Sequence, residues 1–238
     1  VGKTIAQVSS SMAMRNVEQA ENKYRQALAL GEKTGRRDHY MLAWMRREYG
    51  FFLVEQKRFQ DAESEFVEAL RVYRKQFRGR NAPHFSHMMY QTAQCILRGR
   101  YQQATTREAK REIWAEIDRY QAEAVKLGAD APHLTRRQRA IHLLAYAQNL
   151  LRATPPRFAE AEPCLREAMT IRRELFTEQS DQYLHCAVLL LHVLTGQEKL
   201  DEAEQFIDEL LANPQDWRWQ SKELAILVTV AETFCDHD

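Results

Sequence analysis

The sequence predicts an all-α protein, a right-handed α-solenoid of antiparallel helix pairs. Three observations carry that expectation. A short phrase recurs along the chain: Val17-Glu18-Gln19-Ala20-Glu21, Phe59-Gln60-Asp61-Ala62-Glu63, Tyr101-Gln102-Gln103-Ala104, Phe158-Ala159-Glu160-Ala161-Glu162 and Leu200-Asp201-Glu202-Ala203-Glu204. Its alanines stand at 20, 62, 104, 161 and 203, spacings of 42, 42, 57 and 42, and a fixed period of this size marks repeats that pack only on their neighbours. The 238 residues include just 8 glycines and 6 prolines, and no run of alternating β-branched residues argues for a sheet. Apolar residues follow helical spacing: Phe59, Ala62, Phe66, Ala69, Leu70 and Tyr73 form one stripe, with Asp61, Glu65, Glu68 and Arg71 largely off it.

Each phrase is expected to open the second helix of a pair. The alanines let two antiparallel helices approach closely, and bulky neighbours such as Phe59 and Phe66 fill the space beside them. Ala20, Tyr24, Ala27 and Leu28 repeat the design, as do Ala161, Leu165, Ala168 and Met169. Pro163 falls only a few residues into its helix, where its N–H is expected to lack a partner and the proline is expected to be tolerated. The first helices are expected near 39–56, 84–98, 134–152 and 181–196, with a shorter one near 3–14. Tight breaks divide each pair at Gln56-Lys57-Arg58, Arg98-Gly99-Arg100, Thr154-Pro155-Pro156 and Thr195-Gly196-Gln197. Longer turns separate successive pairs. The result is one domain over 1–238, with repeats about 1–35, 36–79, 80–128, 129–178 and 179–213. A capping helix over 215–236, rich in Leu224, Leu227, Val228 and Phe234, covers the last core edge.

The third-to-fourth spacing exceeds the others by 15 residues. One residue is assigned to the longer Thr154-Pro155-Pro156 break, and the other 14 make about four helical turns, which keeps the same face inward. A single helix from about Tyr101 to Leu127, roughly 40 Å long, is therefore expected, with Ile113, Ile117, Tyr120 and Ala124 as its added stripe.

The stretch from Arg157 through Phe158-Ala159-Glu160-Ala161-Glu162-Pro163-Cys164-Leu165-Arg166-Glu167-Ala168-Met169 to Leu175 resembles the tetratricopeptide repeat (TPR), in the 42-residue form found in kinesin light chains. The turns ending Asp38-His39, Pro83-His84 and Pro132-His133 resemble that family's inter-repeat turn. The resemblance covers about residues 16–213. It implies that the first helix of each pair lines a concave groove. Counting back from each phrase, it implies Trp44, Arg47, Phe51 and Val54 in the second repeat. In the third it implies His87, Tyr90, Gln94 and Leu97, with Arg98 beside them, and in the fourth His142, Ala145, Asn149 and Arg152. Aromatic faces alternating with planar amides and arginines suit recognition of a protein segment, and arginine forks onto carboxylates. The family usually grips peptide backbone with an asparagine pair in this helix; Arg47-Glu48 and Thr92-Ala93 replace it here, and Gln148-Asn149 comes nearest.

The net charge of +1 hides an asymmetry. Residues 1–157 carry 28 Lys plus Arg against 16 Asp plus Glu, a net of +12, and residues 158–238 carry 6 against 17, a net of −11. An acidic protein or peptide partner for the basic part is the first expectation. The alternatives are single-stranded nucleic-acid binding by residues 1–157, with Trp44 and Tyr90 stacking on bases, and salt-sensitive self-assembly of the two oppositely charged halves.

Nothing in the sequence points to catalysis, a metal or a cofactor. His84 and His87 are three apart without a third ligand at suitable spacing. Gly2-Lys3-Thr4 lacks the upstream glycine of a phosphate loop. The four cysteines have no close pairing, which reads as reduced thiols in a cytoplasmic protein. The longest apolar stretch, Ala187 to Leu194, is too short to span a bilayer. With no initiator methionine, the chain reads as part of a longer protein, a sensor or scaffold portion.

Overall fold

Helix-forming composition and a helical apolar period produce the expected class. The computed structural model describes residues 2–34, 38–77, 84–129, 131, 134–175 and 181–211. These form α1 (Gly2–Lys33), α2 (Tyr40–Glu55), α3 (Phe59–Phe77), α4 (Phe85–Ile96), a π-helical segment (Leu97–Tyr101), α5 (Arg107–Gly128), α6 (Arg136–Arg152), α7 (Phe158–Leu175), α8 (Asp181–Gly196) and α9 (Leu200–Leu211). No strand occurs among the described residues. The expected capping helix and Cys235 lie outside them. Two compact units, Val1–Ile117 and Asp118–Asp238, divide the chain within α5.

In the first unit, α2 and α3 form a close antiparallel pair. His39 starts α2 by accepting the Met41 N–H at its ring nitrogen (3.2 Å). Gly50 lets the pair close: a Cβ there would lie 2.7 Å from the Phe66 ring. Phe66, Ala62, Ala69 and Leu70 are fully buried, as the stripe requires. In the turn, Lys57 adopts φ 60° and Arg58 N–H donates to Leu53 O at 2.9 Å. The second unit repeats this turn at its end, with Glu198 at φ 60° and Lys199 N–H on Leu194 O at 3.0 Å. Its break thus falls at Gln197-Glu198-Lys199, two residues beyond the expected place. Thr135 opens α6 with a reciprocal capping box to Gln138. Leu143, Leu150, Leu165, Leu191 and Leu194 form the centre of the second unit's core.

Two expected boundaries are corrected. The first helix near 3–14 does not exist as a separate element: α1 runs unbroken from Gly2 to Lys33, because Met14-Arg15-Asn16 holds neither glycine nor proline to stop it. The first repeat therefore has a second helix without its own first helix. The long helix Tyr101–Leu127 is also not formed. The chain passes Arg98-Gly99-Arg100 in π-helical form and breaks at residues 104–106 instead. Thr106 then caps α5, its Oγ1 accepting the Ala109 N–H at 3.2 Å. The downstream residues explain the choice. Four and seven residues after Ala62 stand Phe66 and Ala69, but after Ala104 the same steps reach Glu108 and Arg111. Ile117, Gln121 and Ala124 restore the pattern, and all three are buried.

A carboxylate–cation contact joins successive repeats inside each unit. Glu21 receives Arg58 Nη1 at 2.7 Å, and Glu63 receives Arg100 Nη2 at 2.8 Å. Asp118 receives Arg157 Nη1 at 2.8 Å, and Glu162 receives Lys199 Nζ at 2.7 Å. The glutamate that follows Ala20, Ala62 and Ala161 thus holds the turn of the next repeat. Asp118 follows Ile117, which confirms the restored phase in α5.

Candidate partner-binding face

The first helices of the first unit present a row of rings. Phe51 on α2 stacks on His87 of α4 with centroids 5.6 Å apart, and His87 in turn lies 6.1 Å from Tyr90 at 20°. The edge of Phe66 supports Phe51 from beneath at 5.2 Å. Trp44, one turn before Arg47, is 39% exposed. Phe51, His87, Tyr90 and Gln94 are half-buried. Trp44 lies about two turns before Phe51 on α2, and Gln94 about two turns after His87 on α4.

Arg47 sits below that face and is buried. Its Nε donates to Glu48 Oε1 at 3.0 Å and its Nη2 reaches the same oxygen. Its Nη1 is buried with no hydrogen-bond partner, a costly condition for a charged donor. Burial, with help from the charges of His84 and Arg47, depresses His87 to a pKa of about 4. The ring is therefore neutral at pH 7, which suits stacking between Phe51 and Tyr90. Burial likewise pushes the Tyr90 hydroxyl above its ordinary range. Arg98 is exposed and lies over the Phe59 ring at 5.6 Å, at the start of α3.

In the second unit the implied register is displaced by one residue. His142 and Asn149 are 1% and 3% exposed, and the Asn149 amide donates to Gln121 of α5. Arg152 is exposed at the end of α6. The cause is the turn length. Leu53 and Arg58 are bonded across five positions, but their counterparts Leu150 and Arg157 (3.0 Å) are seven apart. The break is two residues longer, where one had been allowed. The face of α6 that matches Trp44 and Phe51 is instead Ile141, 38% exposed, and Gln148. Gln148 Nε2 lies 2.9 Å from His185 Nε2 on α8, the counterpart of the Phe51–His87 stack. His185 and His192 are exposed there, with His192 edge-on to Phe158 at 5.6 Å. Counting back from the leucine that anchors each turn, Leu150 or Leu194, would have found these residues.

Among the described residues no three His, Cys, Asp or Glu side chains converge as a metal-ligand set. Cys95, Cys164 and Cys186 are free and buried, and burial raises the thiols to about 12, 11 and 11. No described helix is long and apolar enough to cross a membrane.

No family model and no curated protein matches the chain by sequence. Solved structures do match by fold. A Podosopora anserina protein of kinesin light chain type, with nearly identical TPR-like repeats, is 17% identical at a TM-score of 0.55, over 82% of this chain and 86% of that one. A variant of the same protein gives 15% identity and a TM-score of 0.54, over 82% and 85%. BtubC (BKLC) from P. vanneervenii is 18% identical with a TM-score of 0.58, over 94% of this chain and 84% of the other. At this identity the likeness concerns the fold, and it agrees with the helix pairs, the period and the turns: the chain has the TPR-like repeat fold.

Proposed function

We propose that the chain is a non-catalytic protein-interaction module that takes a segment of a partner on the face of its first helices. The observation that carries this reading is the ring row Phe51–His87–Tyr90 beside the exposed Trp44. Rigid aromatic surface of this kind gives contact area at low entropic cost. The unpartnered Arg47 Nη1 beneath it and Arg98 at its edge favour a segment that brings a carboxylate. Gln94 supplies an amide for backbone, and Ile141, Gln148, His185 and Arg152 are the corresponding candidates in the second unit. The free thiols support work in a reducing compartment such as the cytoplasm.

The nucleic-acid reading has less support. Arg25, Arg46, Arg58, Arg71 and Arg100 of the first unit are each held by carboxylates of the same chain, which leaves fewer cations for phosphates.

The test is capture from native extract by the chain and by Trp44→Ala and Arg98→Glu variants, both changed at exposed positions. A protein retained by the chain and lost from the variants, then narrowed to an acidic peptide that quenches Trp44 fluorescence, is the expected result. Equal retention by all three, or recovery of salt-sensitive polynucleotide instead, overturns the reading.

A further inference from the structure

Three junctions between successive repeats are built on the same frame, so their contents can be compared. Arg58, Arg157 and Lys199 each give their N–H to a leucine of the helix just before, Leu53, Leu150 and Leu194. Each gives its side chain to a carboxylate of the preceding repeat, Glu21, Asp118 and Glu162. Three residues after the carboxylate and one before the leucine, two side chains hold matching positions on the two helices. In α1 and α2 they are rings, Tyr24 and Phe52, with centroids 5.6 Å apart. In α5 and α6 they are amides, Gln121 and Asn149, both buried, with Asn149 Nδ2 donating to Gln121 Oε1. In α7 and α8 they are aliphatic, Leu165 and Val193, both fully buried. Ring stands with ring, amide with amide and aliphatic with aliphatic.

The amide junction is a poor source of stability. Gln121 Nε2 is buried without a hydrogen-bond partner, a cost that rings or aliphatic groups would not carry. What buried amides supply is discrimination. An amide that meets a ring or an aliphatic chain loses its hydrogen bond, whereas a matching amide keeps one. They also discriminate phase. The other buried residues of α5 around Gln121 are Ile117, Tyr120 and Ala124, so sliding α5 by about one turn would set an apolar residue against Asn149. α5 is also the helix whose phase the sequence leaves ambiguous, because Tyr101-Gln102-Gln103-Ala104 points to a start that the chain does not use. We propose that Gln121 and Asn149 form a recognition pair within the chain, which selects α5 as the neighbour of α6 and fixes the phase in which the two helices pack. A polar pair in an apolar seam is well suited to setting register at some loss of stability.

A double-mutant cycle on the whole chain tests the proposal. Gln121→Tyr and Asn149→Phe each leave an amide facing a ring, and each is expected to raise the unfolding equilibrium constant about tenfold or more in urea titrations. The two together copy the ring pair of α1 and α2 and are expected to recover most of that loss, a coupling of about tenfold. Additive losses, with a coupling below about twofold, overturn the proposal. Gln121→Leu combined with Asn149→Leu separates recognition from stability. That variant is expected to be at least as stable as the parent, yet to give more than one set of α5 amide signals in NMR spectra, because its phase is no longer fixed. A single set that matches the parent's would show that the amides select nothing. Should the ring variants fail to fold singly, the leucine variant decides the matter alone.

Discussion

Replacing Glu162 by Gln should destabilise the second unit far more than replacing Glu63 by Gln destabilises the first, though both hold the turn of the next repeat. Burial alone would raise the Glu162 carboxyl, but hydrogen bonds from Lys199 (2.7 Å), Gln197 (2.9 Å) and Arg166 (2.9 Å) overcome it and hold the group at about 2, against an ordinary 4.5. That difference corresponds to at most about 3 kcal/mol in favour of folding with the charge present. Lys199 and Arg166 are each more than a third exposed, so screening reduces the expected loss to about 2 kcal/mol. For a chain of this size that lowers the thermal midpoint by about 4–8 °C. Glu63 is different. Burial is its largest influence, and Arg100, which it shares with Glu116, offsets only part of that, so its carboxyl stays above the ordinary range. A neutral amide there should cost less than about 0.5 kcal/mol. Circular dichroism melts at pH 7 compare the two. The Glu162 contribution belongs to a depressed acid: it is present above 4.5 and is lost as pH falls through 2, so the variant and the parent should converge in that window. Equal losses for the two variants, or a Glu162→Gln loss unchanged at the acid end, would refute the reasoning.

Three further outcomes are expected. His87 is a depressed base, so the unfolded chain takes a proton below about pH 6.5 that the folded one refuses down to about 4; the parent should lose about 2 kcal/mol more than His87→Gln between pH 7 and pH 5 in urea titrations. Gly196→Ala puts a Cβ 2.4–2.8 Å from the Phe158 ring, whereas Gly99→Ala meets nothing nearer than the Gln60 side chain at 3.3 Å; the first should cost about 2 kcal/mol and the second should stay within about 1 kcal/mol of the parent in melting experiments. Lys57 and Glu198 carry left-handed backbone at the same place in their turns, so Lys57→Gly and Glu198→Gly should each raise stability by about 0.5–1 kcal/mol, and a loss in either would contradict the strain assigned to them.

Much of this fold was legible because its determinants are local. The alanine period and the Phe59–Tyr73 stripe set α3, and the same pattern set α7 and α9. What the phrase could not convey was competition between neighbouring signals. Tyr101-Gln102-Gln103-Ala104 looks like its relatives over four residues, but Glu108 and Arg111 would then enter the core. Thr106, with an accepting hydroxyl, starts the helix later. The first repeat misled for the opposite reason, since an absent breaker at Met14-Arg15-Asn16 leaves a continuous helix. The candidate face was legible in the first unit because Gly50, where α2 closes on α3, fixes its register. In the second unit a turn longer by two residues rotated α6 by one position. That exchanged buried His142 and Asn149 for Ile141 and Gln148.

The repeat thus divides its duties between its two helices. The glutamate after Ala20, Ala62 and Ala161 is conspicuous in sequence, yet it is consumed in holding the next turn. The residues proposed to meet a partner lie on the other helix, where no motif recurs: Trp44, Phe51, His87 and Tyr90 in one unit, Ile141, Gln148, His185 and His192 in the other. Periodicity in this chain therefore reports what is spent on folding. A residue that breaks the period on the first-helix face carries no such duty, and its chemistry is the better guide to the ligand. By that criterion the ring row over Arg47 is the specific part of the first unit. The amide and two exposed histidines of the second unit, which lack the ring row, should recognise a more polar segment. Trp44→Ala and Gln148→Ala should then weaken binding independently, with additive effects, and strong coupling between them would show that a single contact spans both.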